Sequence, residues 1–135
     1  MTNETLAHSY LIKVEKRLKI LDLLLKEEDY SDVIREAQEI VELSLKGMLR
    51  YVGIEPPKYH DVGPLIIEHG ERFKSISTKE ILKLAKISKE LRKERELAFY
   101  GDIDFIPTEQ YTLEDAKEAM KDANFVVKIA KRTIG

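Results

Sequence analysis

Residues 77–102 read STKEILKLAKISKELRKERELAFYGD. Within this stretch Ile81, Leu84, Ile87, Leu91 and Ala98 recur at intervals of three, four and seven. That spacing gathers apolar side chains on one face of an α-helix. Ser77 and Glu80 open it with capping-box spacing, so hydroxyl and carboxylate can each satisfy an amide that the first turn leaves open. No glycine or proline intervenes before Gly101. The stretch therefore predicts a helix from Ser77 to about Tyr100 with one apolar face, which needs similar partners to bury it.

Those partners lie on both sides. Over about 3–26, Leu6, Tyr10, Val14, Leu18, Leu21 and Leu25 form one stripe. Over about 31–52, Ile34, Ala37, Val41, Leu45, Met48 and Val52 form another, with Asp29 or Ser31 as cap and Gly53 suited to the turn that ends it. A short helix fits Val62 to His69, since Pro64 is tolerated in a first turn. The last helix begins at Thr112, with Asp115 three residues on, and carries Leu113, Ala116, Met120, Val127 and Ile129. Nothing alternates with a period of two. The expected fold is all-α: an antiparallel up-and-down four-helix bundle with an additional short helix.

The 135 residues fit one domain, 1–135, that buries roughly 65–70% of its unfolded surface. Apolar residues at 43% argue against disorder, and charged residues at 36% against membrane insertion. With no secretory leader pattern, a cytoplasmic location is expected. The absence of cysteine excludes disulfides, thiolate metal sites and a cysteine nucleophile. A net charge of −2 gives no global attraction to nucleic acid, but it leaves room for a local basic groove. Only Asn3, Asn124, Gln38 and Gln110 carry amides against a large Lys/Glu content, a balance suited to a hot environment.

Polar residues on or beside the stripes are the candidate site. Arg95, four after Leu91 and three before Ala98, occupies the core-facing line. It either pairs with a carboxylate at a seam or presents its planar fork to phosphate. Gln38, Glu42 and Lys46 make a polar ridge at intervals of four, either a solvated pair or a support in which Glu42 fixes an arginine of a neighbouring helix. Tyr100 either closes the bundle end or stacks on a base. His60 and Asp61 follow the Pro56-Pro57 turn and more simply brace it than transfer protons. His8, His60 and His69 are scattered without ligand spacing, so no metal and no cofactor is expected. The lysines at 79, 83, 86 and 89 read as a solvated face.

Three blocks resemble the HEPN family. The first runs from Asp29-Tyr30-Ser31-Asp32-Val33 through Ala37-Gln38 and Val41-Glu42 to Leu45-Lys46-Gly47. The second is His60-Asp61-Val62-Gly63 after the proline turn. The third is Leu91-Arg92-Lys93-Glu94-Arg95 continuing to Ala98-Phe99-Tyr100-Gly101-Asp102. The resemblance implies a helical bundle, usually homodimeric, often acting beside a separate minimal nucleotidyltransferase. Relatives that cut RNA carry an arginine followed four to six residues later by a histidine. Arg95 matches the arginine, but the following positions hold Phe99, Tyr100 and Gly101, and no histidine occurs after His69. A tyrosine with a pKa of about 10 does not replace imidazole as a proton acceptor at neutral pH.

The leading expectation is therefore a non-catalytic homodimeric module binding a nucleotide or an RNA phosphate. Arg95, Tyr100 and Lys46 make contact; Glu42, His60, Asp61 and Asp102 support them. The alternatives are a metal-independent endoribonuclease toxin of a toxin–antitoxin pair with a rearranged site, and a purely structural dimer in which Arg95 pairs with Glu42.

Overall fold

In a computed structural model describing residues 2–58 and 61–135, the capping box forms as its spacing requires. The Glu80 amide donates to Ser77 Oγ at 3.1 Å, and the Ser77 amide donates to Glu80 Oε1 at 3.0 Å. The helix it starts, Thr78–Phe99, is the fourth of the chain and is called α4. Before it come α1 (Asn3–Lys26), α2 (Tyr30–Tyr51) and the short α3 (Gly63–Glu68, with Pro64 in its first turn), then a single 3₁₀ turn at Gly70–Arg72. After it come α5 (Pro107–Gln110) and α6 (Leu113–Ile134). The described residues contain no strand, and none of their helices is long and apolar enough to cross a membrane.

The four long helices are those the sequence predicts, to within one or two residues. Thr112 and Asp115 form the second box, at 3.2 and 3.0 Å. Gly53 ends α2 with φ +86, and Ile54 N–H closes on the Leu49 carbonyl at 2.9 Å. Three details differ. Asp29 holds the N-cap position of α2, but its side chain caps no amide. In the first half of α1, Ala7 and Leu11 face the core, while Leu6 and Tyr10 stand beside it. Arg50 lies 5.9 Å over the Tyr10 ring there. The one-turn α5 was not expected, because four residues are too few to show a period.

α2 is the central helix, packed on α1, α4 and α6. That is why it is buried on most of its circumference, down to Ser31, Gln38 and Ser44. α4 and α6 both lean on α2 but barely meet each other, and α3 lies along α4. One core of Leu, Ile, Val, Ala and Met side chains joins all four long helices. Burying each large side chain contributes roughly 1.5–3 kcal/mol. The polar edges of α2 and α4 meet outside that core, and the cleft described next lies between them.

Candidate functional site

On α4, Arg92 and Arg95 are three residues apart and therefore share a face. On α2, Arg35, Glu39 and Glu42 share another, at steps of four and three. Core packing sets these faces against each other. Arg95 Nη2 lies 3.0 Å from Glu39 Oε1, and Arg35 Nε reaches the same oxygen at 3.3 Å. Arg92 Nη1 lies 3.2 Å from Glu42 Oε1. Buried Gln38 donates Nε2 to that oxygen, also at 3.2 Å, and Lys46 Nζ lies 3.5 Å from Glu42 Oε2.

The result is a cleft of about 390 Å³. Among the described residues Arg35, Lys58, Arg92 and Arg95 line it against Glu39, Glu42 and Glu96, a surplus of one positive charge in a chain of net charge −2. Tyr100 stands at its rim, 73% exposed, with Phe99 edge-on at 4.9 Å. Phe99 is in turn covered by Arg35, whose guanidinium sits 4.5 Å over the ring. The arginines are thus held in place on the open side of the bundle. Guanidinium groups beside an exposed aromatic suit an oxyanion carried next to a flat ring.

A second groove, between α4 and α6, is larger at about 510 Å³ but has the wrong charge. Among the described residues its lining carries Glu90, Glu94, Asp115, Glu118 and Asp122 and no basic residue. Burial, reinforced by Glu118 and Glu90, raises the Asp122 carboxyl above its ordinary range. Tyr111 spends its hydroxyl as a donor to Glu94 Oε2 at 2.7 Å. An anion would be repelled from this groove.

The sequence-predicted site residues divide as follows. Arg95, Glu42 and Tyr100 come together in the cleft. The Arg95 side chain is 26% exposed, neither in the core nor in bulk solvent. A pairing of Arg95 with Glu42 is corrected: Glu42 takes Arg92, and Arg95 takes Glu39, because Glu39 and Arg95 sit at the same level of the two helices. Lys46 is beside the cleft and does not line it, its ammonium donating to the Lys58 carbonyl at 3.0 Å. Asp61 is elsewhere, accepting from the Gly63 amide at 2.9 Å and from the Ser88 hydroxyl, so it ties the start of α3 to α4. Asp102 is exposed and accepts from the Ile103 amide at 2.7 Å in the turn after α4. His60 lies outside the described residues.

Arg35, Glu39, Lys58 and Arg92 were not among the predicted site residues. The signal for Arg35 and Glu39 was present, since Arg35 lies one turn before the Gln38–Glu42–Lys46 ridge and Glu39 directly beside it. No local pattern announced Lys58, which comes from the loop after α2. Among the described residues no group of His, Cys, Asp and Glu side chains could hold a metal ion.

Comparison with known families matches the chain to the HEPN domain over residues 7–133. No curated protein and no solved structure matches the chain.

Proposed function

Because the chain belongs to the HEPN family over nearly its whole length, we propose that it is a binding module whose α2–α4 cleft takes the phosphate of a nucleotide or an RNA. The observation carrying this reading is the convergence of Arg35, Arg92 and Arg95 on one cleft with Tyr100 at its rim. Guanidinium forks suit phosphate oxygens, and an exposed aromatic offers any base a stacking face. Arg95 contacts phosphate, Tyr100 contacts the base or sugar, and Glu42 with Lys46 braces Arg92 and the loop carrying Lys58. The reading is of binding without cleavage: the RNA-cutting relatives' histidine is missing after Arg95, and among the described residues the cleft has no imidazole.

The working unit in this proposal is a homodimer. Phe99, Tyr100, Ile103 and Ile106, in the segment that ends α4 and follows it, are each exposed, with Ile103 91% exposed. Exposed apolar side chains concentrated in one segment support a protein contact there. The likeness to HEPN proteins that act beside a nucleotidyltransferase supports such an enzyme as a further partner.

Calorimetric titration with nucleotides and short RNA tests the reading. Arg95→Ala is expected to weaken binding by about ten-fold or more, the loss of one charge-assisted contact, with an unchanged helical circular-dichroism spectrum. Sedimentation of the same samples should give a mass of two chains. Absence of binding heat for the wild type, or equal affinity in Arg95→Ala, refutes the assignment.

A further inference from the structure

The two α2 carboxylates in the cleft are held differently. Glu42 is contacted by three donors, Gln38, Arg92 and Lys46, across both of its oxygens. Glu39 rests a single oxygen, Oε1, on Arg95 Nη2 at 3.0 Å and Arg35 Nε at 3.3 Å. Among the described residues no hydrogen bond reaches its Oε2. The Glu39 side chain is also the more exposed, 27% against 19% for Glu42. Glu42 is built in, whereas Glu39 can swing towards solvent with its backbone fixed in α2.

One oxygen between two guanidinium groups is also how a phosphate oxygen would sit there. We propose that Glu39 holds the place of a ligand phosphate, and that the cleft therefore selects a terminal phosphomonoester over an internal phosphodiester. The proposal rests on the phosphate-binding reading of the same cleft and adds the class of phosphate.

Charge decides the selection. A phosphodiester carries one negative charge, as Glu39 does, so exchanging one for the other leaves the charge between Arg35 and Arg95 unchanged. The ligand must still displace the glutamate. A phosphomonoester carries about −1.5 to −2 near neutral pH. It places additional negative charge between the two arginines and offers three terminal oxygens to their forks. A free nucleoside 5′-monophosphate and the 5′-phosphorylated end of an RNA share this chemistry, and Tyr100 is open to the adjoining base.

The test is calorimetry on the full chain with adenosine 5′-monophosphate, adenylyl-(3′→5′)-adenosine, and one short oligoribonucleotide with and without its 5′-phosphate. The wild type is expected to bind the monophosphate about ten-fold more tightly than the dinucleoside phosphate, and to lose that advantage as pH falls through the phosphate pKa of about 6. Glu39→Gln should strengthen both probes, because neither then has to displace a carboxylate from between Arg35 and Arg95, and should leave the monophosphate the tighter of the two. A 5′-phosphate that strengthens binding of the oligonucleotide supports the selection, and one that leaves it unchanged overturns it; where it strengthens, the tighter of the phosphorylated oligonucleotide and the mononucleotide identifies the RNA end or the free nucleotide as the ligand. A dinucleoside phosphate that binds the wild type as tightly as the monophosphate overturns it, and that comparison requires no variant to fold. Weaker binding of both probes to a folded Glu39→Gln also overturns it, because Glu39 would then be orienting Arg95. The phosphate-binding reading itself fails separately, if no probe binds or if Arg95→Ala changes nothing.

Discussion

Gly101 and Gly53 both end a long helix with positive φ, at +65 and +86, yet alanine should affect them very differently. A Cβ at Gly53 meets nothing within 4 Å, so Gly53→Ala carries only the left-handed backbone penalty. Partly offset by a stiffer unfolded chain, that penalty nets about 1 kcal/mol. A Cβ at Gly101 would lie 2.4 Å from the Phe105 carbonyl oxygen and 2.5 Å from Pro107 Cδ. Backbone and a proline ring cannot rotate away, so the turn must open. Opening it breaks the paired bonds between Asp102 and Phe105, at 2.9 and 3.0 Å, each with a net value of about 1 kcal/mol. Gly101→Ala should therefore lose about 3 kcal/mol in all. For a chain of this length the unfolding entropy makes 1 kcal/mol about 3–4 °C, so the melting temperature should fall by ~10 °C for Gly101→Ala and ~3 °C for Gly53→Ala. Thermal melts followed by circular dichroism measure both. Equal losses at the two positions would refute the steric argument, and a loss of under about 2 °C at Gly101 would show that the turn relaxes freely. The same turn carries Tyr100 and Ile103, so Gly101→Ala should also weaken whatever binds at the cleft rim.

Two further outcomes follow from buried or shared carboxylates. The hydrogen bond Asp32 shares with Asp29, helped by burial and by the Asp29 charge and opposed by Arg35, raises the Asp32 carboxyl from 3.8 to about 6. The folded state thus keeps a proton the unfolded chain releases, a contribution fully present below pH 3.8 and lost as pH rises through about 6. Asp32→Asn should accordingly melt above the wild type by ~3 °C at neutral pH, after discounting for solvent screening, and the gap should close near pH 4. Ser88→Ala removes the hydroxyl that donates to Asp61 and leaves that carboxylate short of a partner beside α4. It should lower stability by about 1–2 kcal/mol, seen as a lower denaturation midpoint at unchanged slope.

Helix positions were legible because each is specified locally. The serine and glutamate at 77 and 80 and the threonine and aspartate at 112 and 115 lie within one turn of each other, so spacing alone defines their bonds. The rotation of a helix about its axis was less legible. In α1 the core takes Ala7 and Leu11 in preference to the neighbouring Leu6 and Tyr10, and only the shape of the facing helices distinguishes the two stripes. The cleft lies at the far end of this scale. Arg95 stood out because it broke an apolar line, yet its partner Glu39 is fifty-six positions away in sequence.

The amino-acid sequence by itself determined four amphipathic helices, the capping boxes of α4 and α6, and an arginine without the following histidine, since these depend on neighbours within a few residues. Tertiary structure alone decided that Glu39 faces Arg95 while Glu42 faces Arg92, and that Lys58 joins them. The offset between α2 and α4 is fixed by the close packing of their buried sides, and a shift of one helical turn would exchange every partner across the cleft.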